Sequence, residues 1–583
     1  MLLIGAIVVM ALLEVVNVSA IAPFLALVSD PGMIDENGIL SLFYNTFSFE
    51  DVNGFLIVVG LGVFFVMLGS NAWSAFTTWA QLRLVWSLNH QLSLRLLERY
   101  LYRPYSYFLN QNSADLSKNL LSEVQQITHQ MLQPVILAAG KLVVVVGIVA
   151  VLIVTAPMLA LVVTIVVGGS YAAIYVSARR RLNAIGRDRA KANQERFTVA
   201  SEALGGIKDV KILNAEITFI QRFTDPSLRY SRHQATSQII GSLPRYAIDA
   251  VAFGTVVLIL VYFVAVDRDL GSIVPMLGLY AFAGYRLMPA LQQIFQAVTA
   301  VRFYRSALES VLHDLEPQLL EAPSNHGAYA VRPMGLSNQL ELRKVSFAYP
   351  NMERWAVNDI SLVIPANSAV GFVGTTGSGK TTLIDVILGL LRPQVGEIIV
   401  DGTPITDENL SAWQMSIGYV PQHIFLTDST VAENIAFGVP RDEIDMEAVR
   451  RAAKIAQIHD FIVNELPNGY DTVVGERGIR LSGGQRQRIG IARALYRDPD
   501  VIVFDEATSA LDNSTERDVM HAIRSLLGKK TILMVAHRVT TLADCDIVFM
   551  LKDGRIVSQG TYRELMAGRG AFVEIAGMSN AKS

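Results

Sequence analysis

Gly374-Thr375-Thr376-Gly377-Ser378-Gly379-Lys380-Thr381 decides the fold of the half of the chain that contains it. The run has the form GxxxxGK[ST]. Before it, Ser368-Ala-Val-Gly-Phe-Val373 is an apolar stretch that reads as a buried strand. After it, Thr382-Leu-Ile-Asp-Val-Ile-Leu-Gly-Leu390 has helical spacing. Strand, glycine-rich turn and helix in that order let backbone N–H groups curl around phosphates, at a helix N-terminus that favours an anion. Gly374 through Thr382 are therefore the candidate phosphate-binding residues. By itself the motif says only that a nucleotide binds.

Further signals follow in chain order. Tyr349 closes Val345-Ser-Phe-Ala-Tyr, and Gln422 closes Val420-Pro-Gln. Leu481-Ser482-Gly483-Gly484-Gln485 lies about a hundred residues after the first motif. Val501-Ile-Val-Phe-Asp505-Glu506 is an apolar strand ending in two carboxylates, followed by Ser509-Ala-Leu-Asp512 and by His537 in Val535-Ala-His-Arg. Each has an ordinary reading: a strand aromatic at Tyr349, a turn residue at Gln422, a strand-end histidine at His537. Seven in order over one domain leave those readings little room.

The set resembles the ATP-binding cassette (ABC) family, and the Leu-Ser-Gly-Gly-Gln signature is its most specific part. The resemblance implies ATP and Mg²⁺ as cofactors and ATP hydrolysis as the chemistry. Phosphoryl transfer to water needs charge neutralisation and a positioned nucleophile, and little else. On this reading Tyr349 stacks on adenine and Lys380 holds the β and γ phosphates. Thr381 and Asp505 hold the metal, with Gln422 sensing metal and nucleotide. Glu506 orients or deprotonates the attacking water, and His537 contacts the γ-phosphate. The signature residues Ser482, Gly483, Gly484 and Gln485, with Asp512 of the following loop, belong to a shared site: Ser482 and Gly484 of the partner subunit cover the phosphates. Val474-Gly-Glu-Arg-Gly478 resembles the cross-contact segment of ABC exporters. A second copy of the chain, a homodimer with two working sites, is the partner this implies.

The rest of the chain is of another kind. Its 583 residues are too many for one core. It is 51% hydrophobic, and the excess sits before about residue 300. Net charge is −3, so nothing points to nucleic acid. The single cysteine, Cys545, cannot form an internal disulfide and reads as a small buried apolar residue. Apolar stretches run at about 1–28, 54–80, 132–155, 158–177, 247–266 and 272–298, with a tight turn at Ala156-Pro157. A spanning helix needs about 20 mainly apolar residues, so six spans are expected.

Loop charges give the orientation. Residues 29–53 hold no Lys or Arg but carry Asp30, Asp35, Glu36, Glu50 and Asp51. Residues 178–233 carry twelve cations: Arg179, Arg180, Arg181, Arg187, Arg189, Lys191, Arg196, Lys208, Lys211, Arg222, Arg229 and Arg232. The positive-inside rule places the second segment, and with it the ATPase half, in the cytoplasm and residues 29–53 outside; the expected location is the inner (cytoplasmic) membrane, multi-pass. Two long insertions, about 81–130 and 178–245, read as helices continuing out of the membrane and resemble the extensions of ABC exporters. In that family a coupling helix sits at each turn, here expected near Tyr105–Leu116 and Ile212–Phe223, with Gly205-Gly206 and Pro226 as breakers. An ordinary surface turn has the same spacing.

The domain reading is a transmembrane domain at 1–312, a breaker-rich linker at 313–338 and an ABC ATP-binding domain at 339–583. The fold class is an α-helical membrane domain of six transmembrane helices, ABC exporter type, joined to an α/β P-loop ATPase domain. The start, Met1-Leu-Leu-Ile, lacks the lead-in helix usual in such exporters and reads as truncated or miscalled, not as a signal peptide.

Ionisable groups inside spans are functional candidates by default. They are Glu14, Lys141, Arg245, Asp249 and Arg286. Lys141 and Arg245 can snorkel to an interface, and Glu14 and Asp249 can pair with cations. Arg286, in mid-span, suits a phosphate or pyrophosphate headgroup. Ser19-Ala-Ile-Ala-Pro-Phe-Leu-Ala-Leu-Val-Ser-Asp30, Leu243-Pro-Arg-Tyr246, Tyr285-Arg-Leu-Met-Pro289 and an acidic loop with a short helix in Ile39–Phe47 resemble the PglK-type flippases of lipid-linked oligosaccharides. That resemblance implies flipping of a polyprenyl-pyrophosphate-linked glycan, with Arg286 and Arg245 as substrate contacts. A lipid A, phospholipid or multidrug exporter shares every ATPase motif and is the alternative. No protease domain marks a peptide exporter, and a soluble ABC ATPase acting on DNA or ribosomes is excluded if the spans insert.

Overall fold

The computed structural model describes residues 2–29, 44, 51–155, 157, 161, 164–265, 274–316, 331–350, 352, 354–507, 513–536, 538–568 and 572–573; for some helix residues, Arg286 among them, only the backbone is described. The chain divides into two compact units, Met1–Arg103 with Tyr107–Ala322, and Pro323–Ser583 with Pro104–Ser106.

The first unit is helical. Six long helices lie among its described residues: α1 (Leu2–Ser29), α2 (Val52–Leu101), α3 (Gln133–Thr155), α4 (Gly169–Gly205), α5 (Glu216–Ala265) and α6 (Val274–Leu315). α1 and α3 are apolar all round, which suits a helix with apolar surroundings on every side. α1 packs on α2 and α3, α3 on α6, and α4 on α5 and α6. Small residues allow the close crossings. A Cβ at Gly140 or Gly147 would come within 2.7 Å of Ile7 or 2.6 Å of Val15, and one at Gly186 within 2.3 Å of the Phe303 carbonyl. Ile57, Phe64, Phe65, Val146 and Val154 point outward, an apolar surface unsuited to water. Among the described residues, Val52–Leu101 and Ser113–Val154 are long and apolar enough to cross a membrane. The expected spans four, five and six, the turn at Ala156-Pro157 and the helix in Ile39–Phe47 fall partly on residues outside the description.

Helices α2, α4 and α5 do run on beyond their apolar stretches, as the sequence leads one to expect. Two short helices, Tyr105–Phe108 and Ser113–Lys118, fill the first predicted turn. The second turn departs from expectation. Its short helix is Ile207–Ile212, ahead of the predicted 212–223, and α5 already begins at Glu216. Gly205-Gly206 stops α4, and Asn214 at φ 51° makes the reversal. Pro226 does not break the chain; it lies inside α5. The carbonyl it leaves unbonded belongs to exposed Arg222, where water can satisfy it.

The second unit is α/β. Strands β1 (Gln339–Phe347), β2 (Val357–Pro365), β3 (Ala369–Gly374), β4 (Val395–Val400), β5 (Thr403–Pro404), β6 (Ile417–Val420), β7 (Val501–Asp505), β8 (Thr531–Val535), β9 (Ile547–Lys552) and β10 (Arg555–Gly560) form two sheets. One is antiparallel, in the order β2-β1-β4-β5; the other runs β10-β9-β3-β8-β7-β6. In the second sheet every pair is parallel except β9 with β10. β3, β7 and β8 are buried along their whole length, which is why they read as unbroken apolar runs. The expected strand at Ser368–Val373 is β3, and the helix after the glycine loop is α7 (Lys380–Ile387). Cys545 is buried, and burial pushes its thiol up to about 12, as an inert core residue.

Candidate functional site

Register assembles the site. Phe372 of β3 pairs with Val535 of β8, Val535 with Asp505 of β7, and Phe504 with Val420 of β6. The carboxyl ends of four neighbouring strands thus emerge on one edge of the sheet, where open α/β folds bind ligands. The phosphate loop leaves β3, Gln422 follows β6, and Asp505-Glu506 end β7. Residues 508–512 and His537 lie outside the description, so the placement of Asp512 and His537 stays with the sequence reading.

The loop has the conformation its glycines permit. Gly377 and Gly379 adopt φ 79° and 99°, and a Cβ at Gly379 would come within 2.3 Å of the Ala356 carbonyl. Lys380 is buried, and its Nζ donates to the carbonyls of Gly374 at 2.8 Å and Thr375 at 3.1 Å. Burial lowers its pKa, partly offset by Glu506 and Asp505. A buried ammonium held by two carbonyls of its own loop suits a phosphate oxyanion. Thr381 is exposed beside it. Thr382 is bonded to Tyr349 through their hydroxyls at 3.0 Å. Tyr349 also meets Phe347 edge to face, so the candidate adenine platform is braced against α7 and β1.

Glu506 has φ 51°, an uncommon conformation for a residue with a side chain, while its N–H donates to the Val535 carbonyl at 3.0 Å. Gln422 Nε2 donates to Glu506 Oε2 at 2.7 Å, which leaves the Gln422 amide oxygen available to a cation. Asp505 is buried at the strand end and accepts from the Tyr419 hydroxyl at 3.4 Å. Thr381, the Gln422 amide and Asp505 are all oxygen donors, a set that fits Mg²⁺.

Ser482 caps the helix α8 (Gly483–Leu495). Its Oγ accepts from Gln485 N–H at 3.2 Å, and its N–H donates to Gln485 Oε1 at 2.8 Å. Ser482 and Gly483 are exposed and Gly484 is buried. The signature is a capped helix N-terminus whose described hydrogen bonds are local and whose outer face is open.

Several residues in this region were not singled out from sequence. Tyr419 touches Asp505. Asp385 on α7 is buried near Asp505, and burial first, then that charge, raises its carboxyl to about 6. Arg493 of α8 holds the carbonyls of Asn434 and Phe425 at 2.8 Å each and lies over the Phe437 ring, while Arg486 holds the Leu481 carbonyl at 2.8 Å. The two arginines lie seven residues apart on one helix face, the only sequence signal for their shared bracing role.

In the membrane unit, Lys141 does not snorkel: its Nζ binds Glu14 at 2.8 Å. Two charges this far into an apolar helix bundle satisfy each other at less cost than moving one to the interface. Arg245 and Asp249 approach to 3.7 Å across one helical turn, and Arg245 is exposed. The side chain of Arg286 lies outside the description.

Comparison with known proteins is consistent with this geometry. A family model described as ABC transporter matches residues 357–509, and one described as ABC transporter transmembrane region matches residues 5–298. An ATP-dependent lipid A-core flippase of Methylococcus capsulatus is 32% identical over 495 residues, covering 83% of this chain and 79% of that protein. One of Alkalilimnicola ehrlichii is 33% identical over 492 residues, covering 82% and 80%. The structure of a bacterial Atm1-family ABC exporter with ATP bound superposes with TM-score 0.79 over 99% of this chain and 97% of that one, at 22% identity.

Proposed function

The chain belongs to the ABC transporter family, with the exporter arrangement of a transmembrane domain and an ATP-hydrolysing domain, and from that premise we propose that it flips an anionic glycolipid. ATP binding draws two copies together at the inner membrane, and hydrolysis resets them. The cargo moves from the cytoplasmic to the outer leaflet. The observation that carries this reading is that relatives matching most of the chain are named lipid A-core flippases.

Within it, the finer reading is a lipid-linked oligosaccharide, supported by the membrane segments around Leu243–Tyr246 and Tyr285–Pro289. Arg286, with Arg245, is the proposed headgroup contact, because a guanidinium pairs bidentately with phosphate oxygens and stays charged throughout the cycle. Lipid A-core is the second reading, favoured by the relatives' names. Both cargoes join sugar to phosphate, so the chemistry asked of the arginines is the same.

The boundaries 1–312, 313–338 and 339–583 are the proposed domains. Lys380, Thr381, Gln422, Asp505, Glu506 and His537 form the proposed catalytic set. Mg²⁺ would neutralise phosphate charge there, and Glu506 would hold the attacking water in line. Ser482 and Gly484 of the partner subunit would close the site. Mixing Ser482→Ala with Lys380→Ala chains then leaves heterodimers with one damaged and one whole site; the absence of any mixing effect would argue against a shared site.

The test of cargo is ATPase stimulation and flipping in vesicles containing lipid-linked oligosaccharide, lipid A or a drug panel. Stimulation by either glycolipid, abolished with flipping in Arg286→Ala while basal ATPase persists, supports the proposal. Stimulation by drugs alone sinks it.

A further inference from the structure

α4 and α6 enclose a small cavity away from the residues assigned above. Asn183, Arg187, Arg302, Arg305, Ser306 and Glu309 line it, with buried Phe303 as an apolar wall. Its volume is about 30 Å³ and it opens to the surface beside exposed Arg187, room for about two oxygens of a larger group whose remaining oxygens stay outside. Three guanidiniums meet one carboxylate there. Arg305 Nε donates to Glu309 across one exposed turn at 2.7 Å. Arg302 Nε donates to the neutral Tyr175 hydroxyl at 3.0 Å. Among the described residues no carboxylate pairs with Arg302 or Arg187, so the pocket keeps an excess of positive charge.

Asn183 adds a second sign. Its Oδ1 is buried without a hydrogen-bond partner. Turned end for end, the amide offers two N–H donors in place of that oxygen. Ser306 Oγ is already engaged, donating to the Gly186 carbonyl at 3.1 Å, at the close crossing of the two helices. The flipped Asn183 amide and two guanidiniums with no described carboxylate partner, Arg187 and Arg302, suit the oxygens of an anion entering this space.

Depth narrows the source. The apolar runs of these helices end near residues 177 and 298. At about 1.5 Å per residue, Arg302 and Arg305 lie roughly 6–10 Å past that edge and Arg187 roughly 15 Å past it. The headgroup layer is about 5–8 Å thick on each side. The cavity is therefore level with, or just below, the cytoplasmic headgroups.

We propose that this cavity is an accessory anion site that binds a phosphate group, bridging α4 and α6. The group comes either from an anionic lipid of the cytoplasmic leaflet or from a free phosphate compound. The site is independent of the cargo contact proposed for Arg286 and of which glycolipid is flipped.

The experiment uses the full chain in nanodiscs, in two arms. Both arms carry Lys380→Ala, which disables the phosphate loop; one holds phosphatidylcholine with phosphatidic acid and no free phosphate, and the other holds phosphatidylcholine alone with inorganic pyrophosphate. Native mass spectrometry and ³¹P line broadening read the bound phosphate. Retention only in the first arm identifies a lipid source, and binding in the second a soluble one. Arg187→Gln and Arg302→Gln should each weaken it about tenfold, the loss of one charge-assisted hydrogen bond. Arg187 is exposed and has no described partner, so its variant should melt with the wild type and report binding alone. No bound phosphate in either arm, or binding that both variants leave intact, overturns the proposal. A negative cargo panel would leave this result untouched.

Discussion

The two units treat buried charge in opposite ways. In the membrane unit, Arg189 and Glu123 are buried together at 2.9 Å. Asn193 donates to the second Glu123 oxygen at 2.8 Å, Gln126 accepts from Arg189, and the guanidinium rests 5.2 Å from the Tyr304 ring centre. Two π-helical turns, Asn119–Glu123 and Gln126–Leu132, bring those side chains to α4. The two opposite charges of that pair neutralise each other inside the protein, although Arg189 Nε has no described partner. In the ATPase unit, the ammonium of buried Lys380 is met by two backbone carbonyls of its own loop. The lesson is that a charge matched inside the fold supports architecture, whereas one held by neutral groups keeps its capacity for a ligand.

The contrast can be broken in order of expected effect. Arg189→Met leaves Glu123 buried and uncompensated, a cost of about 3–5 kcal/mol, and folded protein should be lost in detergent chromatography. Adding Glu123→Leu should restore most of it, because the pair as a whole contributes little net stability. Failure of the double variant to recover would mean the pair does more than satisfy itself.

Glu506→Gln should lower ATP turnover about 10²-fold or more, as for a group acting in the transition state, while ATP-driven dimer closure persists. Near-normal turnover would move Glu506 out of the mechanism. Gln422→Ala removes a charge-assisted hydrogen bond and should reduce turnover about tenfold, without the folding loss of Arg189→Met. A melting temperature that falls with the rate would place Gln422 among the architectural residues instead.

The smallest effect is a pH dependence. Asp385 has its carboxyl raised to about 6 by burial and by Asp505. The folded state therefore holds this proton more tightly than the unfolded one. Stability falls as pH rises from the ordinary carboxylate value through 6, and the penalty is fully present above 6. Asp385→Asn should then stabilise the fold at pH 7.5 by on the order of 1 kcal/mol after allowance for screening, read as a higher melting temperature. The gain should vanish towards pH 4; a gain that does not change with pH would assign it to packing.

Much of this was legible in the chain. The strand at Ser368–Val373, the glycine loop and the helix after it are local, set by a few adjacent residues, and the structure has all three. The long extensions of α2, α4 and α5 were legible because polar residues keep helical spacing after the apolar runs stop. The end of the second turn was placed too late because Pro226 counts as a breaker only where its orphaned carbonyl is denied water. Glu14 does pair with a cation, one of the two options its place in a span left open, but sequence does not show that Lys141 lies opposite it. Tyr419, Asp385 and Arg493 escaped notice because their partners are 86, 120 and 59 residues away in sequence.

Sequence by itself determined the two kinds of unit, their order, the nucleotide-binding loop and the segment in which the cations gather. Those follow from composition, periodicity and residue spacing, which act within a few turns of chain. Tertiary structure decided which charges meet. Strand register put Asp505, Glu506, Gln422 and Lys380 on one edge, and helix crossing at Gly186 brought Arg187 and Arg302 to one cavity. Pairing energies depend on separations of a few ångströms, and only the packed chain sets those distances.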